Sequence, residues 1–216
     1  MTAAISPLDA YAAALAGSHC VVVGEEFGQR PLPVQRWARD VSRRDRMLLD
    51  HCEGDTLDVG CGPGRMTAAL TARGHRCLGI DVSPEAVAHA RRRGADAVVA
   101  DVFASVPHAG QWHTALLADG NIGIGGDPVR LLRQVSGVLA AQATIVVDLA
   151  PPGVPTRTSQ IRLIVDGLST EPFAWSVVGV DAVRRLARES DLDVATIADA
   201  GGRWFALLRP RLLHRV

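Results

Sequence analysis

The stretch Leu57-Asp58-Val59-Gly60-Cys61-Gly62-Pro63-Gly64-Arg65 decides how this 216-residue chain is read. An apolar, strand-like run ends there in a turn holding three glycines, and a helix-like pattern starts directly behind it. Seventeen residues beyond Gly64 (81 − 64), a second apolar run, Cys77-Leu78-Gly79-Ile80, ends in Asp81. Strand, glycine turn, helix, strand and terminal acid make a nucleotide-binding βαβ unit, with the acid placed for a pair of ribose hydroxyls. The dinucleotide fingerprint asks for Gly-x-Gly-x-x-Gly. Here Arg65 stands where its last glycine belongs. Asp58, two residues ahead of the turn, would repel a pyrophosphate but attract a ligand bearing an ammonium group.

S-adenosylmethionine (SAM) carries that ammonium together with a sulfonium, a ribose and an adenine, and it suits the loop better than NAD. Composition narrows the field further. The 23 basic residues balance 23 acidic ones, so no global field gathers nucleic acid or an anionic membrane. All the basic residues are Arg, which excludes a Schiff-base lysine and a phosphate-loop lysine. Aromatic residues make up 4% of the chain, which leaves few stacking platforms for nucleic acid. Cys20, Cys52, Cys61 and Cys77 show no Cys-x-x-Cys pairing and read as reduced thiols of a cytoplasmic protein. No apolar run approaches the ~20 residues of a membrane span, and the stretch 10–23, interrupted by His19, does not read as a signal peptide.

The expected fold class is α/β: a doubly wound, mostly parallel seven-stranded sheet with an antiparallel C-terminal hairpin and helices on both faces. Strands are expected at 55–59, 76–80, 96–100, 113–118 and 143–149, and helices at 64–73, 84–93, 128–140 and 181–190. Ser83-Pro84 and Asp127-Pro128 mark two helix starts, and Gly201-Gly202 joins the closing hairpin. Residues 1–216 form one domain in this reading. It comprises an N-terminal helical cap over 1–50, a cofactor core over 55–150, and a poorly periodic, Pro-rich insertion over 150–180 near the acceptor site.

These residues resemble the class I SAM-dependent methyltransferases. Leu57–Arg65 is similar to that family's glycine-rich first motif, and Gly79-Ile80-Asp81-Val82-Ser83 to its acidic second-strand end. Val98–Val102 resembles its adenine-contacting segment, and Leu116–Gly125 the segment near the transferring methyl. The chain departs from the pattern at Ala140–Ala143, where many relatives have a Pro-Gly-Gly turn. The resemblance implies that Asp58 binds the methionine ammonium and that Gly60, Cys61, Gly62 and Gly64 let the backbone approach the methionine part. It implies that Asp81, beside Val82, takes the ribose hydroxyls, that Asp101 and the Val102 N–H meet adenine, and that Ala118 to Gly120 line the far wall. Each role has a plainer rival: a turn former at Asp58, a helix cap at Asp81, an Asx-turn at Asp101.

Methyl transfer can proceed largely by holding nucleophile and methyl together, so no strong catalytic constellation is required. Where a proton must leave, Asp119 at the end of the fourth strand is the candidate base, with Asn121 as orienting partner and substrate contact. A loop carboxylate bonded only to the turn 120–126 is the rival. Among the histidines, His19 and His51 can fold over the site, while His75, His89, His108, His113 and His214 cannot. Arg36 suits the methionine carboxylate, Trp37 and Trp175 can wall an acceptor pocket, and no metal is expected. The expectation is a SAM-dependent methyltransferase of a small-molecule acceptor, a monomer or homodimer, with no nucleic-acid or membrane partner. The alternatives are a SAM-binding enzyme of a non-methylating reaction, such as a cyclisation or rearrangement, and an NAD-dependent oxidoreductase.

Overall fold

The computed structural model describes residues 5–24 and 28–211, so His214 lies outside the described residues. In chain order the elements are α1 (Pro7–Leu15), β1 (Cys20–Gly24), β2 (Gly28–Pro31), α2 (Val34–Ala38), α3 (Arg43–Leu49) and β3 (Thr56–Val59). Then come α4 (Arg65–Ala72), β4 (Cys77–Asp81), α5 (Pro84–Arg92), β5 (Ala97–Val99), β6 (Trp112–Leu117), α6 (Pro128–Gly137) and β7 (Leu139–Leu149). β8 (Arg157–Val165), β9 (Leu168–Ser169), β10 (Phe173–Val177), α7 (Val183–Glu189), β11 (Leu192–Asp199) and β12 (Trp204–Pro210) complete the chain.

The main sheet has seven strands in the order β11-β12-β7-β6-β3-β4-β5. β3, β4, β5, β6 and β7 run parallel, and β12 pairs antiparallel to both β7 and β11. β3 is buried along its whole length, as a central strand covered by helices on both faces must be. The helices start where the local chemistry directs. Ser83 Oγ accepts from the Ala86 N–H and Asp127 from the Arg130 N–H, each followed by proline at the first helical position. The alternation and the closing hairpin agree with the sequence reading. β3 and β6 end side by side at the sheet's carboxyl edge, where crevices form in such folds.

Two sequence expectations are corrected. The first 50 residues are not a purely helical cap, because β1 and β2 form a hairpin within them. The 150–180 segment is not an irregular insertion either: it supplies β8, β9 and β10. Together these strands make a second, five-stranded antiparallel sheet whose main path is β10-β8-β1-β2. Val22 faces Leu163 across the β1–β8 pair, a partnership between distant segments that no local pattern announces. One signal was readable: Ile161, Leu163 and Val165 are buried at alternate positions of β8, the period of a half-buried strand.

Candidate functional site

The glycine turn between β3 and α4 forms the floor of the site. Gly60, Gly62 and Gly64 all have positive φ, at 70°, 54° and 79°, which side chains rarely tolerate. Their tasks differ. Asn121 Nδ2 donates to the carbonyls of Val59 and Gly60, both at 2.8 Å, and a Cβ on Gly60 would collide with that amide. Asn121 therefore braces the loop instead of orienting Asp119, which corrects the sequence reading. Gly64 also departs from its expected role. A Cβ there would sit 2.5 Å from that of Ala90, so its bareness lets α4 pack on α5 and does not face a ligand.

Asp81 ends β4 with Oδ1 accepting from the Ser83 N–H and Oδ2 from the Gly62 N–H, each at 2.9 Å. One lone pair on each oxygen remains for a further donor. The Ser83 hydroxyl caps α5, so Asp81 is not needed for that task. Burial raises the Asp81 pKa against the pull of these N–H groups. Asp58 is fully enclosed, and Thr67 Oγ1 donates to its Oδ2 at 2.7 Å. Burial pushes its carboxyl up to about 6, a strain that a neighbouring cation would relieve. Asp101 forms the Asx-turn its rival reading foresaw, with Oδ1 accepting from the Phe103 N–H at 2.9 Å. It nonetheless lines the cavity beside Val102, so turn and ligand contact are compatible.

Asp119, the candidate base, sits with φ at 54° in a knot of arginines. Arg65 Nη2 donates to both its oxygens, at 2.8 and 2.6 Å, and Arg203 and Arg36 each add a hydrogen bond at 3.2 Å. Behind it, Arg203 also bonds both oxygens of Asp148, and Arg203 and Arg65 share Asp45. Three Asp and three Arg thus balance. Oδ1 accepts from all three guanidiniums and Oδ2 from Arg65 alone, so this carboxylate gathers the arginines around one oxygen. Local sequence hides the knot, because Arg36, Arg65 and Arg203 come from far apart.

Above the floor lies a cavity of ≈ 1040 Å³. Gly60, Cys61, Gly62, Asp58, Asp81, Val82, Asp101, Val102, Ala118, Asp119, Gly120 and Asn121 all line it, as do Arg36, Trp37 and Trp175. The five-stranded sheet roofs it with Val22, Ile161, Leu163, Phe173 and Trp175. Gly123 fits beneath Trp175 and the Ser176 carbonyl, where any Cβ would collide. Trp37 meets Tyr11 edge to face at 6.1 Å. Sequence reasoning missed Tyr11. Its hydroxyl lies 3.2 Å from the place a Gly62 Cβ would take, and burial with nearby Asp81 raises its pKa, so it stays protonated. His19 and His51 do not line this cavity; His51 packs on Phe205. Among the described residues, no helix is long and apolar enough to cross a membrane.

Residues 56–142 match the family model described as a methyltransferase domain. Among curated proteins, a tabtoxin biosynthesis enzyme of Pseudomonas amygdali pv. tabaci is 40% identical over 67 residues, which is 31% of this chain. That match spans 27% of the relative's own length. A SAM-dependent methyltransferase from Bacteroides fragilis, solved with S-adenosyl-L-homocysteine, has a similar fold. It aligns with a TM-score of 0.80 at 22% identity, over 98% of this chain and 99% of that one. A 1,6-didemethyltoxoflavin-N1-methyltransferase from Burkholderia thailandensis, with its namesake compound and S-adenosylhomocysteine bound, gives 0.57 at 17% identity over 82% and 81% of the two chains. A sugar N-methyltransferase from Streptoalloteichus gives 0.60 at 15% identity over 88% and 94%.

Proposed function

We propose, on the premise that this chain is a class I SAM-dependent methyltransferase in its fold and its matched domain, that it methylates a small-molecule acceptor. The observation that carries the reading is one roofed cavity whose floor holds Asp58, Asp81 and Asp101 and whose ceiling is apolar. The residues fit the cofactor. Asp81 has a spare acceptor site on each oxygen for two ribose hydroxyls, and buried Asp58, within the field of Arg65 but in no ion pair among the described residues, has room for a contacting ammonium. Asp101 keeps Oδ2 for the adenine amine beside Val102, and Arg36, half-exposed, has donors left for the methionine carboxylate. When bound, SAM supplies a methyl group already activated by its sulfonium.

The chain's own part is placement and dryness. The roof sheet covers the site with apolar side chains, Trp37 and Trp175 flank the acceptor, and holding the partners in a near-attack arrangement lowers the barrier. Tyr11, protonated and beside the glycine turn, orients the acceptor as a hydrogen-bonding group. Asp119 fixes Arg65, Arg203 and Arg36 instead of taking a proton. We assign the protein to the cytoplasm on its four free cysteines, and no nucleic-acid or membrane partner to it on its neutral charge. The test is a thermal-shift comparison of SAM, S-adenosylhomocysteine and NAD. SAM and S-adenosylhomocysteine should both protect the protein and NAD should not; protection by NAD alone would overturn the reading.

A further inference from the structure

Beside the main cavity lies a second one of ≈ 600 Å³, and the two share Arg36, Asp148 and Leu149 as a common wall. Its lining is strongly basic: Arg36, Arg43, Arg44 and Arg203 against Asp45 and Asp148. The two acids are already spent. Asp45 accepts from Arg65, Arg203 and the Ser42 N–H, and Arg203 bonds both oxygens of Asp148. Arg36 and Arg203 are likewise engaged with Asp119. What remains is a pair of exposed guanidiniums, Arg43 and Arg44, with no ion pair among the described residues and no acid left in the wall to neutralise them.

Exposed arginines on a convex surface are simply hydrated. These two line a concavity that opens beside the place where the acceptor must lie. The main cavity is also lined by Arg30 and Arg36, but the roof it offers the acceptor is apolar: Leu149, Ile161, Leu163, Phe173 and Trp175. A charged group has no partner against those walls, and burying it there would be costly.

We infer that the acceptor is an amphiphilic anion: its apolar, reacting part lies under the roof sheet, and its carboxylate or phosphate is held by Arg43 and Arg44 in the side cavity. This rests on the methyl-transfer reading. Two guanidinium forks match the planar oxygens of a carboxylate and the several oxygens of a phosphate, with stronger bonds than neutral groups make. Arg36 lines both cavities and so stands at their junction.

The experiment is calorimetry on protein saturated with S-adenosylhomocysteine, using three probes of similar body: benzoate, phenyl phosphate and neutral benzyl alcohol. At low salt, at least one anion should bind about tenfold or more tightly than benzyl alcohol, the scale of charge-assisted hydrogen bonds. The winning anion distinguishes carboxylate from phosphate. The double variant Arg43→Gln/Arg44→Gln should lose that advantage while keeping S-adenosylhomocysteine affinity within about threefold. Arg184→Gln/Arg188→Gln, which removes the same charge from exposed positions on α7, should keep the advantage. Anions no better than benzyl alcohol, or an advantage that survives in Arg43→Gln/Arg44→Gln, would overturn the inference and leave the cofactor reading standing. Failure of S-adenosylhomocysteine to bind at all would instead sink the methyltransferase reading beneath it.

Discussion

In the floor of the cavity, Asp81 accepts from the Gly62 and Ser83 N–H groups and Asn121 donates to the Val59 and Gly60 carbonyls, hydrogen bonds that fix each atom's direction. In the roof, β1, β8 and β10 are joined mainly by their ladders, with one side-chain bond between Thr158 and Ser176, and they present apolar side chains to the cavity. The floor has the specificity of placed donors and acceptors, which suits a ligand of fixed structure. The roof has the adaptability of packed hydrocarbon, which tolerates changes of shape so long as volume is kept. On the proposed reading, the roof's side chains could change to suit a new acceptor without touching the cofactor's contacts.

The contrast can be broken first at the knot behind the floor. Arg203→Ala would leave Asp45 and Asp148 buried without their shared partner, and should lower folding stability by about 3–5 kcal/mol in urea titrations. Full stability in that variant would mean the acids find other partners and the knot is not structural. Next in size is Asp81→Ala, expected to weaken SAM binding by about 1.5–3 kcal/mol in calorimetry. Unchanged affinity would remove Asp81 from the ribose.

The Asp58 carboxyl sharpens the comparison through pH. Its folded pKa of about 6 exceeds the unfolded value of about 3.9. The native state thus holds the proton more tightly, and this group's contribution to stability falls as pH rises between the two values. Binding an ammonium requires the ionised form. SAM affinity should accordingly fall as pH drops through 6, approaching about tenfold per pH unit below it, while the ligand-free protein gains stability from this group. Calorimetry and thermal melts across pH 4.5–7.5 give both slopes, and parallel trends would contradict the assignment.

A smaller effect is expected at Asp119. Asp119→Asn should reduce turnover by less than the roughly 100-fold that loss of a general base produces, and should leave the acidic limb of the pH–rate profile in place. Loss of that limb would restore the base. Smallest of all, Trp175→Ala should leave SAM affinity within about threefold, or ~0.7 kcal/mol, while raising the acceptor's apparent binding constant. Collapse of SAM affinity would merge roof and floor into one site.

The floor was legible because its parts are contiguous: Asp58, the glycines and Asp81 lie within one βαβ unit, and the spacing alone states their relation. Its finer divisions were not legible. Gly64 faces Ala90 and not the ligand, and Asn121 bonds to a carbonyl 61 positions away, which only the folded chain reveals. Asp119 was correctly placed at a strand end, yet its character depends on three arginines that arrive from α2, α4 and the turn before β12. The roof escaped because sheets assembled from separated segments leave only faint local traces, here the alternation of Ile161, Leu163 and Val165.

That separation has a kinetic consequence. Leu57 pairs with Leu78, 21 positions on (78 − 57), whereas Val22 must wait for Leu163, 141 positions on (163 − 22). Closing long loops costs entropy before any contact repays it, and non-local pairings slow folding. In a chain emerging from the ribosome, β8 can reach β1 only after β3 to β7 have been synthesised. On the proposed reading, the nascent protein would have a place for its cofactor before it has a room for its acceptor.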